Sequence, residues 1–210
     1  MFGGDRSLAK RGVEAFARRK WRRARDLLQD ALAEGPLPTT GDYALGLLYW
    51  RGLGGDRDAR AAAACFARAA EDGHAGAQTA LGIVLAHAKG ATRNLDEARE
   101  LLRSAAGVGN PVAMTELAAL SDAGEAKRWL TRAADAAYTP AMRALGEELM
   151  DDDPVEALAW LYTHAAATGD PNSVKRASAL AQEMSADEIA QAQKAGRAYA
   201  RNVREEMKRK

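Results

Sequence analysis

The sequence predicts an all-α fold built as an array of helical repeats, and three observations carry that prediction. Leu45-Gly46 recurs as Leu81-Gly82, Leu117-Ala118 and Leu145-Gly146, in steps of 36, 36 and 28 residues. Ala69-Ala70 followed by Gly73 recurs as Ala105-Ala106 with Gly109, Ala133-Ala134 with Ala137, and Ala165-Ala166 with Gly169. Self-similarity at a period of roughly 20–50 residues marks an array in which each unit packs on its neighbours. The composition is rich in Ala, Arg, Leu and Glu and holds three Phe in 210 residues. Such a chain favours helices packed closely through small side chains. The whole of 5–210 is expected to form one elongated domain of about five helix pairs and a C-terminal capping pair.

The first unit spans 5–38. Gly12, Ala24, Leu28, Ala31 and Pro36 sit at the spacings of a tetratricopeptide-type pair. Pro36 closes its second helix, because proline cannot continue the hydrogen-bond ladder. Leu37-Pro38-Thr39-Thr40 reads as a connection. In the second unit, 41–76, a first helix over about Asp42–Arg51 carries Ala44, Leu45, Leu48 and Tyr49 on a helical stripe. The turn Gly52-Leu53-Gly54-Gly55 follows, and Asp58 caps a second helix that packs through Ala62, Phe66, Ala69 and Ala70. The third unit, 77–112, repeats the turn and cap as Gly90 and Asn94, and Gly109-Asn110-Pro111 reads as a stop signal.

The fourth unit, 113–140, is short, with its inter-helix loop reduced to about Ser121–Glu125. The fifth, 141–171, starts its second helix with Asp153 at the cap and Pro154 at the first helical position. Trp160 stands nine residues before Gly169, whereas Trp129 stands eight before Ala137; the offset predicts an irregularity in that helix. The last segment, 172–208, is more polar, and Ser185-Ala186-Asp187-Glu188 is a capping box opening a long helix to about Met207.

The series A-x-x-x-L-G-x-x-Y-x-x-G-x-G-x-x-x-D…A-A-x-x-G resembles the Sel-one-like repeat, a relative of the tetratricopeptide repeat. Leu45, Gly46, Tyr49, Gly52, Gly54, Asp58, Ala69, Ala70 and Gly73 match it directly. Its leading Ala is Gly41 in the second unit and is present as Ala77, Ala113 and Ala141 later. The resemblance covers about Gly41–Gly169, and the tail MSADEIAQAQKAGRAY is similar to the closing helix of many bacterial members. Cys65 and Leu101 depart from it, standing where the family often has an aromatic. The resemblance implies a right-handed α-solenoid serving as a non-catalytic scaffold or adaptor for a protein or peptide partner, in a bacterium. Carrying over the groove positions of the related family implies that Tyr43, Leu47, Trp50 and Arg51 line a concave surface. Thr79, Ile83 and His87 would continue it in the third unit, Thr115, Ala119 and Asp122 in the fourth, and Arg143, Glu147 and Met150 in the fifth. Trp, Tyr and Arg dominate binding hot spots, so Tyr43, Trp50 and Arg51 form the leading contact cluster. Glu147 and Asp151, four apart, would present paired carboxylates to a basic segment of the partner.

Other chemistries find less support. The net charge is +1, and the basic run Arg18–Arg25 is a single local feature, so nucleic-acid binding is disfavoured. Trp21 reads as a packing residue rather than a base-stacking platform. His74, His87 and His164 have no metal-ligand spacing, and no cofactor motif is present. His164 reads as an ordinary helix-face residue. Cys65, the single cysteine, cannot form an intramolecular disulfide and reads as a buried thiol in a reducing compartment. No apolar run approaches the ~20 residues needed to cross a bilayer, and the N-terminus lacks an apolar leader. A monomeric cytoplasmic protein is therefore expected. A hydrolase of the same repeat family and an immunity or assembly factor dedicated to one partner are the rival readings.

Overall fold

The computed structural model describes residues 6–87 and 94–209; the expected turn at Gly90 lies outside the described residues. Twelve helices and no strand are found among them. They run as successive pairs: α1 (Arg6–Ala17) and α2 (Trp21–Glu34), α3 (Thr39–Arg51) and α4 (Ala59–Glu71), α5 (Ala75–His87) and α6 (Leu95–Gly107). Next come α7 (Pro111–Ala118) and α8 (Ala123–Asp135), α9 (Thr139–Glu148) and α10 (Pro154–Thr168), and α11 (Pro171–Gln182) and α12 (Ala186–Arg209). Short connections make the partners of the first five pairs antiparallel neighbours, whereas α11 and α12 each pack on α10. The chain divides into two compact units, Met1–Val108 and Gly109–Lys210.

The helix starts follow from local chemistry. Asp58 accepts from the backbone N–H groups of Arg60 and Ala61, Asn94 from that of Glu97, and Asp153 from that of Glu156. Each satisfies a donor that the first helical turn leaves without a partner. Asn110 does more than end a unit: its side chain accepts from Val112 and Ala113, and Pro111 takes the first position of α7. The capping box at α12 is present, with Ser185 N–H donating to Glu188 at 2.8 Å and Glu188 N–H donating to Ser185 Oγ at 3.3 Å.

Two expectations are corrected. Helix α3 begins at Thr39 rather than about Asp42, because the Pro38 carbonyl already accepts from the N–H groups of Gly41 and Asp42. Proline lacks a donor but keeps its acceptor, so it opens this helix instead of belonging to a plain connection. Helix α10 is continuous over 15 residues, two more than α8, so the tryptophan offset is absorbed by helix length and not by an irregularity.

In the first unit, each first helix offers a small residue to a large side chain of its partner. A Cβ at Gly46 would lie 2.5 Å from the Phe66 ring, and one at Gly12 would lie 2.6 Å from Leu28. Gly82 faces Leu102 in the same way. The turn after α3 is held as tightly. Gly54 adopts φ +76°, and its Cα approaches the Trp21 carbonyl so closely that a Cβ would stand 2.6 Å from it. A partly buried ion pair ties α3 to α4: Arg68 Nε donates to the buried Asp42 Oδ1 at 2.9 Å, and Arg68 also reaches the buried Cys65 Sγ at 3.4 Å. Burial pushes the Asp42 carboxyl up, and the Arg68 hydrogen bond pulls it back.

In the second unit α10 is the hub. It packs on α9, α11 and α12, and the two C-terminal helices each lie on α10 more than on each other. Gly196 of α12 permits this, since a Cβ there would meet the Ala159 carbonyl at 3.0 Å. Trp160 stacks on Tyr199 with centroids 4.2 Å apart and planes within 12°. Ala137 occupies the position that glycine holds in the neighbouring units and adopts φ +60°, a conformation that strains any residue with a Cβ.

Two substitutions test these constraints. Gly46→Ala is expected to cost about 1–3 kcal/mol through overpacking against Phe66. Ala137→Gly is expected to add about 0.5–1 kcal/mol by relieving the left-handed backbone, net of the greater freedom glycine gives the unfolded chain. Urea denaturation checks both; a neutral Gly46→Ala or a destabilised Ala137→Gly would contradict the packing argument.

Candidate functional site

Helix α3 carries apolar residues on more than one side. Ala44, Leu45 and Leu48 are buried, while Tyr43, Leu47 and Trp50, spaced i, i+4, i+7, form a half-buried row on another face. Apolar rows on more than one face of a helix expect cover on each, and this row is covered only in part. All three side chains pack against the cluster of Phe66, Ala69, Ala77 and Leu81. The Tyr43 ring lies 4.3 Å from His74 and 6.1 Å from Phe66. The Arg57 guanidinium sits over the Trp50 indole, 4.8 Å from its centroid. Arg51 is exposed at the end of the helix. On α5, Ile83 is half-buried and His87 is exposed.

Several expected groove residues have other roles. Thr79 is 5 % exposed and its hydroxyl donates to the Ala75 carbonyl, so it packs rather than presents a contact. Asp122 is the N-cap of α8, accepting from Glu125 N–H at 2.9 Å. Thr115 donates to the Pro111 carbonyl of its own helix, and Ala119 is exposed at the end of α7. Met150 and Asp151 lie in the turn beyond α9, so Glu147 and Asp151 do not share a helical face. Of the basic run, Arg25 is committed to structure: it donates to the Asp56 carbonyl at 2.8 Å and lies over the Tyr49 ring at 4.6 Å. Trp21 packs edge-on against Phe16 at 5.4 Å.

Arg143 and Glu147 do form a site, with partners the sequence reading missed. Arg143 donates to Glu147 Oε1 at 2.9 Å, and Arg176 of α11 pairs with the same oxygen. Both arginines border a cleft of about 570 Å³ with Lys175, His164 and the first turn of α11. His164, expected on a helix face, has a side chain only 8 % exposed. Its Nδ1 lies 2.8 Å from Ser173 Oγ, and the Ser173 hydroxyl donates to Asp170 Oδ2 at 2.9 Å. Since that hydroxyl has a single hydrogen, its oxygen accepts from His164 Nδ1–H, which leaves Nε2 as the lone-pair nitrogen of the neutral ring. The signal for this cluster was Asp170-Pro171, the same cap-and-proline pattern read correctly at Asp153-Pro154. Asp170 indeed caps α11, accepting from Asn172 and Ser173.

The three side chains share the residue types of a nucleophilic triad but not its wiring. A triad needs an exposed serine whose proton passes to histidine, with the carboxylate on the far ring nitrogen. Ser173 is 0 % exposed and gives its proton to Asp170.

The recurring helix pairs, with their small residues set against large ones, fit one known repeat. The Sel1 repeat model matches residues 41–74, 75–110 and 113–138. The chain carries three Sel1 repeats. The matched repeats correspond to α3–α4, α5–α6 and α7–α8, and the fold is an all-α repeat solenoid. Among solved structures, a protective antigen present in uropathogenic Escherichia coli strains displaying an SLR fold matches with TM-score 0.78 and 24% identity, over 89% of this chain. The match spans 43% of that antigen's length. The Sel1 repeat protein from Oxalobacter formigenes matches with TM-score 0.62 and 27% identity, over 79% of this chain and 72% of that one. Immunity protein Pa5087 from Pseudomonas aeruginosa matches with TM-score 0.52 and 20% identity, over 94% and 81%. No curated protein sequence matches the chain. No helix among the described residues is long and apolar enough to cross a membrane.

Burial holds His164 of this Sel1-repeat protein below the ordinary histidine value, opposed by the nearby Asp170 carboxylate. The unfolded chain then takes up a proton below pH of about 6.5 that the folded chain refuses until lower pH. Stability contributed here is complete above that value, falls as pH drops through the window, and levels off below the folded pKa. Denaturation midpoints from pH 7.5 to 5 should fall more steeply for the wild type than for His164→Gln. Parallel curves would remove His164 as the cause.

Proposed function

We propose that this Sel1-repeat protein is a non-catalytic module that binds a protein partner on the first-helix face of its repeats. The observation that carries the reading is the row Tyr43, Leu47 and Trp50 on α3, continued by Ile83 on α5: apolar side chains left half-exposed beside the buried apolar residues of the same helices. Partly covered aromatic and aliphatic groups beside an exposed arginine are what hot spots are made of. Arg51 supplies that arginine, and Arg143 with Glu147 supplies charged contacts in the second unit. Tyr43 contributes through packing on His74 and Phe66, so it shapes the surface more than it reaches the partner.

The wiring of His164, Ser173 and Asp170 supports the non-catalytic side of the reading. The likeness to an immunity protein is one of fold, at 20% identity, and a role as a dedicated immunity factor would be one specific case of partner binding. In this reading the protein works as a monomer in a reducing cytoplasm, where Cys65 stays a buried free thiol.

The test uses Leu47→Lys with Arg51→Glu, changes at a half-buried and an exposed position of α3 that leave Tyr43 in place. Lysate of the source cell is passed over wild type and variant, with circular dichroism confirming equal helix content. A partner retained by the wild type is expected to fall at least about tenfold on the variant. Equal retention by both would move binding off this face.

A further inference from the structure

The cleft between α9, α10 and α11 has an unfilled charge and hydrogen-bonding pattern. Two guanidinium groups, Arg143 and Arg176, share one oxygen of one carboxylate, Glu147. Lys175 borders the same space and has no carboxylate partner among the described residues. Asp170 is committed to capping α11 and to the Ser173 hydroxyl. Three cations therefore face two carboxylates, Glu147 and Asp170, and the second has its oxygens taken up by the α11 cap and the Ser173 hydroxyl; arginine forks favour carboxylate oxygens in bidentate geometry. The second observation is His164. More than nine-tenths of its side chain is buried, it lines the cleft, and its Nε2 has no partner among the described residues. The Ser173–Asp170 chain fixes its tautomer, so Nε2 offers a lone pair and asks for a donor.

We propose that this cleft binds a carboxylate of a polypeptide segment, with Arg143, Lys175 and Arg176 holding the carboxylate and His164 Nε2 accepting a hydrogen bond from an adjacent backbone N–H. A peptide carries both groups within a few ångströms of each other. A further carboxylate would give each guanidinium an oxygen pair of its own. The cleft volume of about 570 Å³ suits one or two residues of an extended chain. The proposal rests on the protein-binding reading above and names the partner's chemistry at a separate point of the chain. The carboxylate has two sources in a polypeptide, an acidic side chain or the C-terminus, and the test separates them.

The experiment follows the imidazole ¹⁵N signals of the full chain by long-range NMR. Three probes are titrated: a short N-acetylated peptide of neutral residues with a free C-terminus, the same peptide amidated, and an amidated peptide whose sole carboxylate is a central Glu. His74 and His87 serve as internal references. The expected result is a saturable shift at His164 Nε2 with one or both carboxylate peptides and none with the amidated neutral one. A response to the free C-terminus alone assigns that source, and a response to the Glu peptide alone assigns a side chain. Lys175→Glu with Arg176→Glu, both at exposed positions, should weaken the response at least about tenfold. Three results would each overturn the proposal: no shift with any peptide, equal shifts with the amidated neutral peptide, or a double variant that binds as well as wild type. A wild type that retains its lysate partner while the cleft fails this test leaves the protein-binding reading standing, so the two failures are distinguishable.

Discussion

The closeness of approach between paired helices is the constraint on which the architecture depends. A glycine on the first helix of a pair takes the place where the second helix inserts a large side chain: Gly12 against Leu28, Gly46 against Phe66, Gly82 against Leu102, Gly146 against Leu161. Interiors are packed as densely as organic crystals, so a pair that close leaves no room for one more methyl group. The fourth pair has Ala118, buried, at the corresponding place. The same economy appears in the turns, where Gly54 lets its backbone rest on the start of α2.

Close pairing also divides labour between the two helices of a unit. The second helices α4, α6 and α8 are amphipathic, each with one buried stripe of Ala, Leu or Phe and a charged outer side. The first helices α3 and α5 carry apolar residues on more than one face. The charged sides of the second helices settle into water, while the rows Tyr43, Leu47, Trp50 and Ile83 of the first helices stay half-buried.

The second unit solves a different problem, that of ending the array. Helix α10 is nearly apolar throughout and needs cover on more faces than one partner can supply. Helices α11 and α12 both pack on it. Burying α10 also buries His164, and the polar groups that come with it must be satisfied. Ser173 and Asp170 satisfy one ring nitrogen, while the other faces the cleft. The polar cluster is thus a consequence of how the array is closed.

The repeat register, the caps at Asp58, Asn94 and Asp153, and the capping box at Ser185–Glu188 were legible in the sequence. They are local: a side chain and the backbone it bonds lie two or three residues apart, so spacing alone determines them. The row of Tyr43, Leu47 and Trp50 came from the groove positions of the related repeat family, and its half-buried state followed only from the packing of α4 and α5 against it. Burial and long-range partnership were not legible. Thr79 and Asp122 read as surface residues until neighbouring helices and helix starts claimed them. Arg143 and Arg176 are far apart in the chain and meet at Glu147 only because α9 and α11 flank α10. His164 became a buried group with one open nitrogen because two C-terminal helices fold back onto a single apolar helix. That choice belongs to the packing of several helices at once, and no local spacing encodes it.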